Sequence, residues 1–247
     1  MFARSPITFA DRIMRPILLL LLLALAQCGF GQHLTFMEWE QESFKDMRLM
    51  PKYGNRHKNP KMVASDSAFV AQTLAAIPDR RKASNALVDH GFELLRTGDM
   101  KAAMFRFNQA YLVEPDNAEI YRGYGAFFVA LDRSTEAAVN FQAGLALDST
   151  NSRLMTDMAA VFLGEYYDQK ASDTARADQF LHGATTLLEH AVKYDPNSTE
   201  AAFRLAVCYF QKGDCEQAWR LYDQCEALGG KDLMGTFTGE LERKCPR

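Results

Sequence analysis

The sequence predicts an all-α fold, a right-handed solenoid of about four helix pairs with capping helices at both ends. Residues 84–117 and 118–151 are two segments of 34 residues whose large and small side chains align in register. Within each segment, glycine and alanine recur at fixed distances from aromatic residues. A fixed period of this length is typical of helical repeat arrays, in which each unit packs on its neighbours.

The two segments agree along their whole length. The matched pairs are Leu87 with Tyr121, Gly91 with Gly125, Leu94 with Phe128, Ala103 with Ala137, Phe107 with Phe141, and Ala110 with Gly144. Two helices approach closely where one presents a small residue and the other fills the space with a large one. Each segment therefore reads as two packed helices, with a turn at 98–99 in the first and at 131–134 in the second, where Ser134 is the expected N-cap.

This pattern resembles the tetratricopeptide repeat family, in which small and aromatic residues recur through a helix A and a helix B. The closing proline of the family pattern is present as Pro115, whereas Ser149 stands at that place in the second segment. The resemblance implies a non-catalytic binding scaffold whose A helices line a concave groove for a peptide or helix.

The N-terminal residues predict a targeting segment rather than part of the fold. Three arginines precede an unbroken apolar run, 17–26, which is too short to span a bilayer stably. This order is typical of a secretory signal peptide, residues 1–26, cleaved after Ala26 or, alternatively, after Gly31. A buried core helix is the less favoured reading, because such a helix normally carries a polar face. We expect export to the periplasm, the outer membrane or the extracellular space.

Cys28 leaves a second possibility open. Residues 25–28 resemble a bacterial lipoprotein box, in which the cysteine is acylated and becomes the first mature residue. Gln27 is larger than the small residue usual before that cysteine. A lipid anchor at Cys28 is therefore the alternative to a mature chain without one.

Residues 27–83 predict an N-terminal helical segment and a basic linker. Thr35 is a candidate N-cap for a short helix ended by Pro51. The linker, 52–61, is read as solvated, and a second helix is expected over 66–77. The apolar side of the first helix comprises Phe36, Met37, Trp39, Phe44 and Met47.

The later chain continues the repeat with one irregularity. Residues 152–198 form a third unit of 47 residues, 13 longer than the period, with the extra residues around 166–179. Insertions in a repeat form loops on one face or lengthen a helix pair. A fourth unit covers 199–232, and 233–247 is the expected C-terminal capping helix.

Projecting the family's groove onto the A helices selects one set of residues in each unit. They are Asn85, Val88, Phe92 and Leu95; Arg122, Ala126 and Val129; Arg153, Thr156 and Ala160; and Phe203, Val207 and Phe210. Val88 and Phe92 stand where chaperone-binding members carry the residues that grip a peptide carboxylate, so that activity is not expected. Because an exposed apolar groove favours a cover, either a partner helix or the chain's own residues 36–50 should fill it. The internal cover is favoured, since Trp39 and Phe44 have no other evident core.

Four cysteines lie in the last forty residues. Cys215 and Cys245 are equally distant from a turn near 229–230, so antiparallel helices bring them level and predict a disulfide. Cys208 and Cys225 are read as buried thiols.

Charge and motifs disfavour other function classes. The formal net charge of -3 gives no bulk attraction to nucleic acid or anionic lipid. The five histidines are dispersed and no phosphate loop or nucleophile elbow occurs, so neither a metal, a cofactor nor catalysis is expected. The sequence favours a protein-binding scaffold or adaptor of the cell envelope. The alternatives are a structural lipoprotein anchored at Cys28, or an accessory subunit of an exported enzyme whose insertion, with Glu165, Asp168 and Asp173, completes an active site.

Overall fold

A computed structural model describes residues 34–231 and 235–247, and its regular elements within these ranges are all helical. The predicted leader, both proposed cleavage points and Cys28 lie outside the described residues. The described helices are α1 (Phe36–Lys45), α2 (Pro60–Ala76), α3 (Arg80–Arg96), α4 (Met100–Val113), α5 (Ala118–Val129), α6 (Ser134–Leu147), α7 (Ser152–Gln169), α8 (Thr174–Tyr194), α9 (Thr199–Gln211), α10 (Cys215–Ala227) and α11 (Phe237–Lys244).

The helices from α3 onward form a solenoid. Four consecutive pairs, α3 with α4, α5 with α6, α7 with α8 and α9 with α10, make the most extensive contacts. The first helix of each pair also contacts the first helix of the next, so α3, α5, α7 and α9 line one side as the A helices. The predicted fold class is confirmed.

The repeated small residues bring the paired helices together. Phe107 of α4 is fully buried, and a Cβ added at Gly91 of α3 or Gly123 of α5 would overlap its ring. Gly125 of α5 stands in the same relation to the buried Phe141 of α6. A glycine opposite an aromatic ring therefore sets the spacing within each of the first two pairs.

A recurring asparagine joins successive units. Asn117 caps α5 and donates from Nδ2 to Asn85 Oδ1 over 2.8 Å. One period later, Asn151 caps α7 and donates to Glu119 Oε1 over 2.9 Å. In both places one amide satisfies a helix N-terminus and ties it to the preceding A helix.

Several boundaries differ from the sequence-based expectation. Ser134 is the first residue of α6 rather than its N-cap, and its hydroxyl donates to Glu165. Helix α2 begins at Pro60, because Asn59 caps it and a proline is favoured in the first helical turn. Helix α11 begins at Phe237, and residues 232–234 of the expected cap lie outside the described part.

The extra residues of the third unit are helical. Helices α7 and α8 have 18 and 21 residues, whereas α5 and α6 have 12 and 14. The added length therefore extends both helices instead of forming a separate loop. It carries the C-terminal turns of α7 beyond the end of α5. Among the described residues, no helix has the length and apolar character needed to cross a membrane.

Candidate functional site

The A helices enclose an open concave pocket of about 560 Å³, here called the groove. Of the residues projected from the sequence, five line it: Phe92, Arg122, Ala126, Val129 and Ala160. The groove projection did not select the other lining residues, although Glu165 and Asp168 had been named in the alternative active site of the insertion. The other lining residues are Asp132, Arg133, Ser134, Phe141, Asp157, Val161, Gly164, Glu165, Asp168, Glu200 and Arg204.

Arg122 occupies the middle of the groove. Its Nε donates to Asp157 Oδ2 over 2.7 Å and its Nη1 to Glu119 Oε2 over 3.3 Å. The guanidinium also lies 4.4 Å from the centroid of the Phe92 ring. Burial works against the charged guanidinium, but the two carboxylates outweigh it and raise the pKa of Arg122. Burial raises the pKa of Asp157, with Arg122 opposing that shift. Arg122 is thereby held in place by neighbours on α5, α7 and α3.

An apolar strip runs beside this ion pair. The side chain of Val129 is 47% exposed, an unusual state for valine in a helix that otherwise buries its apolar residues. Ala126 and Ala160 lie on the same pocket wall, and their short side chains leave the space open. The strip can accept the apolar side chains of a ligand.

The remaining projected residues of the first three units lie outside the pocket. Val88 is buried in the core, and Leu95 packs against that core. Thr156 is also buried, and its hydroxyl donates to the backbone of α7. Asn85 accepts its hydrogen bond from Asn117, and the exposed Arg153 pairs with Glu119 at 3.5 Å.

The C-terminal helix covers the fourth unit. The ring centroid of Phe237, on α11, lies 5.6 Å from that of Phe203 and 5.3 Å from that of Phe210. Both pairs are edge-to-face, an arrangement that adds to the energy of burial. Val207 is half-buried and does not line the pocket. The groove therefore extends over α3, α5 and α7 to the start of α9, where Glu200 and Arg204 line it, and Phe237 packs on the later part of α9.

The segment expected to cover the groove, residues 36–50, packs outside it. Trp39 is buried, with its ring centroid 5.3 Å from that of Phe128, and its indole donates to Leu49 O over 2.8 Å. Neither Trp39 nor any other residue of 36–50 lines the groove. Phe44, also expected to be buried, is 80% exposed. The internal cover is therefore wrong, and the alternative cover, a partner helix, stays a prediction.

A buried polar group holds this N-terminal segment in its place. The amide of Asn108, on α4, donates to Arg48 O over 2.7 Å and to Met50 O over 2.9 Å. Its Oδ1 accepts from Tyr124 OH over 2.8 Å, and that hydroxyl accepts from Lys52 N over 3.1 Å. These backbone groups lie within or between two short 3-10 turns, Met47–Leu49 and Pro51–Asn55, that follow α1. The linker expected to be solvated is thus partly docked.

The cysteines fall into two kinds. Cys215 and Cys245 are brought together as a pair, with their Cα atoms 5.4 Å apart. Cys208 and Cys225 are buried thiols. Burial raises the pKa of Cys208 to about 12, so its reactive thiolate is suppressed at neutral pH. In the described ranges, no three side chains of His, Cys, Asp or Glu are grouped so as to hold a metal ion.

Comparison with known proteins agrees with this architecture. Residues 175–228 match the sequence model of the tetratricopeptide repeat. A thermophilic tetratricopeptide-repeat protein of Thermus thermophilus is 19% identical, with a TM-score of 0.56 over 66% of this chain and 84% of its own. The fold is a tetratricopeptide-repeat solenoid.

Two further solved structures match with lower TM-scores than the Thermus protein. The first such domain of Spaghetti, solved with an HSP90 peptide, is 16% identical with a TM-score of 0.41, covering 54% of this chain and 95% of that one. MamA is 16% identical with a TM-score of 0.44, covering 72% and 99%. No curated protein sequence matches the chain.

Proposed function

We propose that this tetratricopeptide-repeat chain is a non-catalytic interaction scaffold of the cell envelope, which binds a segment of a protein partner in its concave groove. The observation that carries the proposal is the open pocket over α3, α5 and α7, with Val129 exposed beside Ala126 and Ala160. An apolar strip with a fixed ion pair beside it suits a peptide ligand, which needs burial for affinity and polar contacts for register.

Site-specific photo-crosslinking tests the binding face. A photoreactive phenylalanine analogue replaces Val129 in the groove or, as a matched control, Val139, which is 61% exposed on α6 and outside the groove. In the source cells, the Val129 position should yield one protein adduct that the Val139 position does not. Adducts formed equally at both positions, or only at Val139, would contradict binding in the groove.

The envelope location is proposed from the leader. N-terminal sequencing of the protein recovered from source cells distinguishes the possibilities. A chain beginning at Gln27 supports cleavage after Ala26. A chain that begins at Cys28 and incorporates a labelled lipid precursor would support the lipoprotein alternative instead of cleavage after Ala26. A chain that retains its first residue, Met1, would contradict export.

The disulfide between Cys215 and Cys245 belongs to the same proposal, because oxidising compartments retain such bonds. A cross-link that closes a loop over a sequence separation of 30 stabilises by roughly 3–4 kcal/mol in the chain-entropy model. A reductant should therefore lower the midpoint of urea unfolding in the wild type and leave a Cys215→Ala, Cys245→Ala variant unchanged. An equal response in both proteins would contradict the bond.

A further inference from the structure

The cationic side chains of the groove are already engaged. The groove contains three arginines, and each lies within ion-pair distance of a carboxylate. The pairs are Arg122 with Asp157, Arg133 with Glu136 and Arg204 with Glu200, at N–O distances of 2.7, 2.5 and 2.5 Å. Each guanidinium among the described lining residues is therefore already balanced by a carboxylate.

Three carboxylates of the lining are in the opposite situation. Asp132, Glu165 and Asp168 have no ion-pair partner within the described part of the chain. Glu165 accepts a hydrogen bond from the Ser134 hydroxyl over 2.5 Å. The charge left unbalanced in the groove is therefore negative.

These carboxylates lie at one end of the groove. Asp132 is in the turn between α5 and α6, two residues before Ser134, whose hydroxyl contacts Glu165. Asp168 lies three residues after Glu165 on α7, so the two project from the same side of that helix. Like charges one helical turn apart repel each other, and a cation placed between them relieves the repulsion. We call these three residues the acidic end.

The acidic end adjoins the apolar strip directly. Val129 is the last residue of α5, immediately before the turn that contains Asp132. On α7, Ala160, Gly164 and Asp168 follow at intervals of four residues and all line the pocket, which places them on one face. A Cβ added at Gly164 would meet no atom within 4 Å, so the surface between the apolar strip and the carboxylates is open.

From this arrangement we infer that the groove takes a peptide segment in which a lysine or arginine stands beside apolar side chains. The apolar side chains cover Ala126, Val129 and Ala160, and the cation binds at the acidic end. An acidic segment is disfavoured, because it meets three unbalanced carboxylates, while the arginines of the lining are already paired. The inference rests on the proposed function, since it names the ligand chemistry of the same groove.

Selection from a random-peptide phage library tests the inference while the partner is still unidentified. Peptides are selected on the wild-type protein and then tested on an Ala126→Trp variant, in which the indole fills the groove. Peptides that bind the wild type and not this variant are groove ligands. We expect them to be enriched in Lys and Arg and depleted in Asp and Glu.

A double variant, Glu165→Gln with Asp168→Asn, then isolates the acidic end. Its matched control is Glu216→Gln with Asp178→Asn, which removes the same charge from exposed positions outside the groove. Fluorescence anisotropy with a selected cationic peptide should show about tenfold weaker binding to the groove variant and unchanged binding to the control. Added salt should reduce the difference.

The outcomes separate the inference from the proposed function. Groove ligands that are neutral or acidic, or cationic ligands that bind both double variants equally, would overturn the inference and leave groove binding intact. A library that yields no ligand sensitive to Ala126→Trp would count against both. Cationic apolar peptides that weaken only with the groove variant support both.

Discussion

Asn108 provides two of the hydrogen bonds that dock the N-terminal segment. Its amide binds the backbone oxygens of Arg48 and Met50, and its carbonyl accepts from the Tyr124 hydroxyl. The side chain has no exposed surface. Replacing Asn108 with alanine therefore leaves up to three polar groups without their partner.

The magnitude follows from the number of groups affected. A buried polar group left without a hydrogen bond costs roughly 1–3 kcal/mol. Tyr124 keeps the hydrogen bond from Lys52 N, and part of the segment can shift toward solvent. We therefore expect Asn108→Ala to lower the free energy of unfolding by about 3–5 kcal/mol. Asn140→Ala is the matched control, because that amide donates only to the adjacent Glu136 backbone on partly exposed α6; a change within about 0.5 kcal/mol is expected.

Urea unfolding is followed by helical circular dichroism and by the emission of Trp39 in a Trp219→Phe background. If the segment is released before the solenoid unfolds, the Trp39 transition should precede the loss of helix in the Asn108→Ala protein and coincide with it in the parent. A loss of less than about 1 kcal/mol, with coincident transitions, would refute the role given to Asn108.

Three further expectations concern packing and ionisation. Phe237→Ala removes the half-buried ring that covers α9, and should lower the free energy of unfolding by about 2–3 kcal/mol and raise the binding of a hydrophobic dye; no change in dye binding would contradict the cover. Gly125→Ala should destabilise the protein by about 1–3 kcal/mol, because the added methyl group overlaps the ring of Phe141. Gly164→Ala, with open space around it, should stabilise by about 0.5–1 kcal/mol. Melting temperatures that shift in the same direction for both variants would contradict the packing. Burial raises the pKa of Cys208 to about 12 from its ordinary value of 9.0, so the unfolded thiol ionises first as the pH rises. The free energy of unfolding should fall above about pH 9, less steeply in Cys208→Ala, and native Cys208 should resist alkylation at about pH 8; equal pH profiles would contradict this assignment.

The repeat was predictable from sequence because its packing is local. Gly91 and Phe107 lie within one unit, and the same combination recurs one period later, so that register and helix pairing follow from spacing alone. The position of α11 did not follow in this way. Phe237 does stand one period of 34 residues after Phe203, but the repeat was followed only to residue 232, so its packing against Phe203 and Phe210 was not anticipated.

The repeat spacing also could not predict where Trp39 packs. The segment that carries Trp39 is bound in part by Asn108, the one polar residue on the otherwise apolar buried face of α4. That contrast was visible in the sequence, but its partners are backbone atoms some sixty residues earlier in the chain. Any residue can supply a backbone oxygen, so the sequence does not show which oxygens accept from a buried amide. The sequence could therefore indicate that Asn108 is a buried polar residue, but not what it binds.

The groove was predictable in part. Spacing selected Arg122, Val129 and Ala160 because A helices repeat the same face toward the concave side. The projection missed Glu165 and Asp168 as groove residues because they lie beyond the period it used, and the sequence had placed them only in an alternative active site at the insertion. A signal existed: Ala160, Gly164 and Asp168 follow at intervals of four, which continues the groove face of α7 past the ordinary repeat length.

The central claim is that the partner occupies the groove, and one titration tests it most directly. The protein recovered by crosslinking at Val129 is titrated by calorimetry into wild type, into Ala126→Trp, and into Ala146→Trp, a control at an exposed position of α6 outside the groove. The account expects binding at least about tenfold weaker for Ala126→Trp and unchanged for Ala146→Trp. Equal affinity for all three proteins would contradict it.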